Sequence, residues 1–377
     1  MTEERRQLPV VECDCSGCCG QSAPETPLEP AKKRYVAEAG WVVNKLEAPI
    51  GSAPVVSTEL NWRDRAGAVL VRLGLKRMSY ALRPGLYAVG QPNSSSYVFV
   101  SANYKLSFDH LRKNLSGLDA WILVLDTAGI NVWCAAGKGT FGTEELIQRI
   151  RETRLFQLVP RGTLILPQLA APGVAAHEVS KRTGFKVVYG PVRAADIKSF
   201  LARGLMATEE MRQVRFNFLD RLVLVPVEFI VLVKYLLMVL FFLLTLRVLG
   251  LNLLHWKVLY PYLGAIIIGS VLVPAFLPWI PGRPFAWKGW LLGLLWALWI
   301  NVEKGFMAAS TFAWAKAMTN FLLLPAISAF LALNFTGSST YTSLSGVVRE
   351  MKFAIPAILI AAGLGFGLLI AQMAGAF

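Results

Sequence analysis

The feature that most constrains this chain is a break in composition near Leu219. Before it, charged and apolar residues alternate as in a water-soluble domain. After it come apolar runs of roughly 20 residues, enough to cross ~30 Å of hydrocarbon as a helix. Five candidate spans lie near 222–246, 259–280, 287–303, 311–333 and 354–376. The overall balance of 55% hydrophobic and 16% charged residues, with mean hydropathy +0.49, reflects this second half. We therefore expect a flexible tail over 1–50, a cytoplasmic α/β domain over 51–212, and an all-α transmembrane domain of five helices over 213–377.

The formal charge of +14 is read as topology rather than nucleic-acid binding, because no basic stripe with interleaved aromatics is present. With the first domain inside the cell, Arg212, Arg215, Arg221, Arg283, Lys288, Arg349 and Lys352 fall on the cytoplasmic side, and Arg247, Lys257 and Lys304 outside. No apolar leader segment precedes Cys13, which fits the same orientation in an inner, cytoplasmic membrane. Trp256, Trp279, Trp287 and Trp290 lie near the proposed interfaces. Glu228, Lys234 and Lys316 fall within spans, where an ionisable group lines a path, binds a partner, or only holds the bundle together as an ion pair or by snorkelling. The polar stretch 334–343 is expected to face the cytoplasm, which leaves its Asn334-Phe335-Thr336 glycosylation match without a role.

The tail holds Cys13, Cys15, Cys18 and Cys19. They do not supply the two Cys-x-x-Cys pairs of a structural zinc site, and a reducing cytoplasm disfavours disulfides. Vicinal thiols suit capture of a soft ion such as Hg(II); the other reading is a tail without function.

From Tyr97 onward, short β-rich runs alternate with amphipathic stretches. Tyr97–Ser101, Trp121–Asp126, Leu155–Val159, Thr163–Leu166 and Phe185–Tyr189 read as strands; Phe108–Leu115, Glu144–Glu152 with Thr143 as N-cap, Val174–Arg182 and Ala194–Arg203 read as helices. This order implies a Rossmann-like, doubly wound, mostly parallel sheet with its ligand at the carboxyl ends of the strands. Those ends are Asn103 and the loops 126–134, 167–173 and 190–193.

One motif at that edge carries chemistry: Asn131-Val132-Trp133-Cys134-Ala135-Ala136-Gly137-Lys138-Gly139-Thr140-Phe141. It is not a phosphate loop, since Val132 stands where the first glycine belongs and Gly139 where magnesium needs a hydroxyl. A helix starting near Cys134, with Lys138 one turn on, favours a thiolate suited to nucleophilic or metal-ligand roles. The bland alternative is a buried cysteine acting as a small apolar residue. His110, His177 and His255 suggest no catalytic Cys-His pair.

The octapeptide from Asn131 to Lys138 resembles the cap-helix signature of the corrinoid proteins of microbial mercury methylation. The soluble domain of that family is similar to the corrinoid-binding domain of the corrinoid iron–sulfur protein. Tyr104-Lys105-Leu106-Ser107-Phe108-Asp109 is similar to another segment of these domains, and the resemblance extends over about 55–377. It implies a corrinoid (cobalamin) bound base-off, with Cys134 as the lower cobalt ligand and catalytic residue. The Asp-x-His-x-x-Gly motif by which another corrinoid family supplies histidine is absent. The implied reaction passes methyl from methylcobalt(III) to Hg(II), forming methylmercury, and the thiolate's donor strength would help methyl leave toward an electrophile. Asn131, Val132, Trp133, Ala135, Ala136 and Gly137 would shape the cap helix against the corrin face, and Lys138 and Ser107 would contact the ligand. Implied partners are a ferredoxin-type protein with two 4Fe-4S clusters as reductant and a methyltetrahydrofolate-dependent methyl donor system. Two other readings remain open: a membrane-bound methyl carrier of one-carbon metabolism with mercury as an incidental acceptor, and a mercury transporter.

Overall fold

A computed structural model describes residues 35–75, 79–160, 162–248, 256–307, 311–338 and 344–374. The tail cysteines Cys13, Cys15, Cys18 and Cys19 and residues 339–343 of the polar stretch lie outside the described residues, as do the side chains of Glu228 and Lys234.

The first part of the chain forms one seven-stranded sheet in the order β1-β2-β3-β5-β4-β6-β7. Its strands are β1 (Val42–Ala48), β2 (Gly51–Val56), β3 (Gly85–Val89), β4 (Tyr97–Ala102), β5 (Ala120–Leu125), β6 (Thr163–Leu166) and β7 (Lys186–Tyr189). The last four are mutually parallel, with β4 and β5 in register from Tyr97↔Ala120 to Ala102↔Leu125. Strand β5 is buried at every position, as a two-sided parallel strand requires. Alternate residues supply two cores: Val98, Val100, Leu123 and Leu125 on one face, and Phe99, Ile122 and Val124 on the other. Strand β3 runs antiparallel beside β5, and a β1-β2 hairpin beginning before residue 50 completes that edge.

Helices α1 (Trp62–Arg72), α2 (Lys105–Asn114), α3 (Val132–Gly137), α4 (Thr143–Glu152), α5 (Leu155–Leu158), α6 (Ala176–Thr183), α7 (Ile197–Ala202) and α8 (Glu209–Arg212) accompany the sheet. The chain moves from β4 outward to β5, then crosses back to β6 on the other side of β4. The strand order therefore reverses between β4 and β6, and an open α/β sheet forms its ligand crevice at such a point.

Two readings of the sequence need correction. Leu155–Val159, expected as a strand, is the helical turn α5; Arg154, at φ 49°, turns the chain so that Leu155 and Leu158 point into the core. Short apolar runs carry no periodicity to separate the two outcomes. Thr143 is the first residue of α4 rather than its cap: Gly142 holds the cap position, and the Thr143 hydroxyl accepts from the Ala175 N–H at 2.9 Å.

Beyond α8, the short α9 (Phe218–Leu222) leads into α10 (Val225–Val248), a helix of 24 residues. There follow α11 (Trp256–Ile267), a π-helical segment (Ile268–Leu272) and α12 (Val273–Ala275), then α13 (Phe285–Glu303), α14 (Thr311–Asn334) and α15 (Leu344–Met373). Among the described residues, four helical stretches are long and apolar enough to cross a membrane: Trp256–Ala275, Phe285–Glu303, Ala313–Asn334 and Ser345–Gln372. Helices α13 and α14 touch backbone to backbone; a Cβ added at Gly289 or Gly293 would stand within 3.0 Å of Ser328, Ala329 or Pro325. Small residues at such a seam let packing supply the attraction that lipid does not.

Three charged groups of this region, Arg221, Lys288 and Glu350, meet the backbone near helix ends. Buried Arg221 donates to the carbonyls of Ala275 and Phe216 and stacks over Phe218 and Trp279. Lys288 donates to the Leu277 carbonyl, and Glu350 accepts from the Ala286 N–H at 2.7 Å, capping α13. Lys316 lies 5.8 Å from the Phe306 ring centroid.

Candidate functional site

The site is built on the loop that leaves β5. Two consecutive residues there, Ala128 at φ 54° and Gly129 at φ 74°, are left-handed, a conformation that a side chain resists. Asn103, the residue after β4, holds them. Its Oδ1 accepts from the N–H groups of Thr127 (3.2 Å) and Gly129 (2.9 Å), while its Nδ2 donates to Asp126 Oδ1 at 3.2 Å. Asp126 Oδ1 also accepts from the Ala128 N–H at 3.1 Å, and the Asp126 N–H donates to Glu145 on α4 at 2.8 Å. The Thr127 hydroxyl lies 2.9 Å from Asn103 Oδ1 and 2.7 Å from the Ile130 carbonyl. Asn103 and Asp126 thus bind the carboxyl ends of two neighbouring strands into one rigid turn. Asn103 was legible only as a strand end; an amide directly after a buried strand is the signal of its second task.

This turn delivers Asn131, whose side chain caps α3 by accepting from the Cys134 N–H at 2.9 Å. The six-residue helix is two-sided. Ala135 and Ala136 are buried against the domain core, whereas Trp133, Cys134, Gly137 and Lys138 are exposed, and Val132 packs at the margin of the core. The alanines therefore seat the helix on the protein instead of facing outward with Cys134. Their size matters on that inner side, because a Cβ added at Gly173 would come within 3.0 Å of Ala136. Cys134 is a free, exposed thiol, not the buried apolar residue of the bland reading.

Helix α3 starts from β5, packs against the end of β4, and rests on the 3₁₀ turn Gln168–Ala170 that follows β6. It therefore lies across the point where the strand order reverses, with its thiol turned outward. A soft sulfur donor flanked by a half-exposed indole fits a flat, cobalt-centred macrocycle. One further feature of this edge fits a ligand: Gln168 Oε1 is buried without a hydrogen-bond partner.

The segment around Ser107 has another character. Ser107 sits half-buried in the first turn of α2. Its neighbours Lys105 and Asp109 belong to a buried ion quartet with Asp64 and Arg112. Lys105 Nζ lies 2.9 Å from Asp64 and 2.5 Å from Asp109, and Arg112 lies 2.7 Å from each carboxylate. Arg112 also donates to the Ser57 and Glu59 carbonyls, and Lys105 stands 5.1 Å over the Trp41 ring. Burial pushes the Asp64 carboxyl upward, but Lys105 and Arg112 outweigh it and hold Asp64 below the ordinary carboxylate range. Lys105 and Asp109 thus join α1 to α2 and the β2-α1 loop. Among the described residues, no cluster of three or more His, Cys, Asp or Glu could hold a metal ion. His110 lies 3.4 Å from Arg72, and His177 is exposed on α6.

Comparison with known proteins places the similarity on this domain. Residues 76–201 match the family described as the CO dehydrogenase/acetyl-CoA synthase delta subunit. The gamma subunit of the acetyl-CoA decarbonylase/synthase complex of Archaeoglobus fulgidus is 32% identical over 129 residues, which is 34% of this chain and 27% of that protein. The corresponding subunit from Methanopyrus kandleri is 32% identical over 132 residues, 34% of this chain and 28% of the relative. The corrinoid/iron-sulfur protein large subunit of Moorella thermoacetica is 27% identical over 122 residues, 32% of this chain and 27% of its own length. The chain thus spans little more than a quarter of these relatives. Its α/β domain is similar to part of a corrinoid/iron-sulfur protein and precedes a helical region with several helices able to span a membrane.

Proposed function

We propose that this chain binds a corrinoid at the carboxyl edge of its sheet, base-off, with the Cys134 thiolate as lower cobalt ligand, and that it methylates Hg(II). The observation that carries this reading is the placement of an exposed Cys134 on a capped helix lying across the strand-order reversal. Bound there, the corrinoid supplies a methyl group for transfer to mercury. Everything else falls to the chain. Asn131 fixes the first turn of α3, so that the sulfur is presented in one position. Trp133 offers an aromatic surface beside it, Lys138 reaches the ligand's rim, and Ser107 approaches from the first turn of α2. A thiolate is a strong, soft donor, and from Cys134 it would suit a group that hands methyl to an electrophile.

In this reading the domain faces the cytoplasm of an inner-membrane protein with five spans, α10 being the first. A ferredoxin-type protein with two 4Fe-4S clusters would serve as reductant, and a methyltetrahydrofolate-dependent system would supply methyl. The cysteine-bearing tail is assigned capture of Hg(II).

The test is the absorption and EPR spectrum of cobalamin-loaded protein, wild type against Cys134→Ala. We expect the axial-ligand signature to change; an unchanged spectrum removes the lower-ligand assignment. Cys134→His keeps a ligand with weaker donor character and should spare binding more than methyl transfer. A second reading, a membrane-bound methyl carrier with mercury as incidental acceptor, draws support from the relatives' names, which belong to acetyl-CoA complexes and a corrinoid/iron-sulfur protein. Gene deletion separates the two: lost growth on one-carbon substrates with intact mercury methylation favours the carrier.

A further inference from the structure

Among the described residues, two buried side-chain polar atoms lack a hydrogen-bond partner, Asp109 Oδ2 and Gln168 Oε1. The first is accounted for, because its carboxylate already touches both Lys105 and Arg112 through the other oxygen. No such compensation serves Gln168. An enclosed amide oxygen with no donor is a standing cost that an apolar side chain of similar length would avoid.

Its location gives the reason for keeping it. Gln168 opens the 3₁₀ turn immediately after β6 and Pro167, on one flank of the strand-order reversal, in the segment on which α3 rests. The polar groups on the other flank are engaged within the protein: both side-chain atoms of Asn103 and the Thr127 hydroxyl have partners. At this edge Gln168 is the acceptor held in reserve.

We propose that Gln168 is a further ligand-contact residue, its side-chain carbonyl accepting a hydrogen bond from an amide N–H of the bound ligand. This rests on the corrinoid reading above, and the chemistry agrees, since the rim of a corrin ring carries primary amide side chains. The contact would fix the orientation of the bound macrocycle, which Cys134 alone would leave open.

The test uses the full chain in detergent or nanodiscs. Cobalamin and cobinamide are titrated against wild type, Gln168→Leu and Gln168→Glu and followed by corrinoid absorbance, and the melting temperature of each ligand-free protein is measured. Loss of one hydrogen bond should weaken binding of both probes about tenfold in Q168L. Q168E, which can still accept, should stay within about threefold. Ligand-free Q168L should melt at or above the wild-type temperature, because the unpartnered oxygen is gone. Wild-type affinity in Q168L overturns the assignment while leaving the corrinoid reading intact. Weaker binding accompanied by a lower ligand-free melting temperature also overturns it, as the mark of a structural role. If the wild-type chain binds neither corrinoid, the corrinoid reading fails and Gln168 falls with it.

Discussion

At the scale of single residues, the exposed thiol depends on two amides whose side chains are engaged within the protein. Asn131 holds the Cys134 N–H, and Asn103 holds the left-handed turn that brings Asn131 into place. Replacing an N-cap asparagine by alanine ordinarily costs ~1 kcal/mol, so Asn131→Ala should loosen α3 while leaving the sheet intact. Hydrogen exchange at 132–138 should rise with little change in the melting temperature of the domain, and corrinoid affinity should fall. Asn103→Leu should be more damaging, because it strands the Thr127 and Gly129 N–H groups in a buried turn at roughly 1–3 kcal/mol each. A chemical denaturation midpoint should register that loss. Ala128→Gly tests the same turn in the opposite direction. Glycine relieves the φ 54° conformation, and the variant should be neutral or more stable despite the entropy it adds to the unfolded chain.

At the scale of elements, the legible parts of the fold were those whose pattern is local. Strands β4, β5 and β6 are runs of β-branched and large apolar residues bounded by polar turns, and α4 and α6 place charge and apolar side chains at helical spacing. The α5 turn was misread because four residues define no period. The role of Lys105 and Asp109 was hidden for another reason: their partner Asp64 lies 41 residues before Lys105, and no local spacing announces such a pairing. The quartet makes a sharp prediction. Truncating one member of a buried ion network leaves the others uncompensated, typically at about 3–5 kcal/mol, so Arg112→Met should unfold the domain at markedly lower denaturant. The pH dependence follows from Asp64, whose folded carboxyl titrates below its unfolded value. Its contribution is complete above the ordinary carboxylate range near ~4 and is lost as the pH falls through the lower folded value. Asp64→Asn should therefore destabilise the domain at neutral pH and flatten its acid-unfolding profile, as read by stability measured from pH 7 downward.

At the scale of the whole molecule, the composition break marked where the apolar helices begin but not how the two halves meet, because that junction is made by single long-range contacts. The loop after β7 lies on the same edge of the sheet as α3. From it, the Val192 N–H donates to the Met211 carbonyl at 2.8 Å, and Arg193 reaches the Arg215 carbonyl at 2.9 Å and Asp220 at 2.5 Å. Asp220 in turn accepts from the Asn217 N–H, and the next residue, Arg221, is buried beneath Trp279 and Phe218 against the end of α12. A chain of polar contacts thus runs from the carboxyl edge of the sheet to the head of the apolar helices. The Arg193–Asp220 pair is exposed, with 42% and 38% of the side chains accessible, so its worth in stability is small, on the order of 0–1 kcal/mol. Its worth lies in direction, since it ties the loop after β7 to α9. Arg193→Ala should accordingly leave the melting temperature nearly unchanged but raise hydrogen exchange across 211–222 and broaden label-to-label distances between α6 and α13 in nanodiscs. High salt should raise wild-type exchange toward that of the variant, because the exposed pair is screened. Unchanged exchange and distances in Arg193→Ala would mean that the pair does not set the junction.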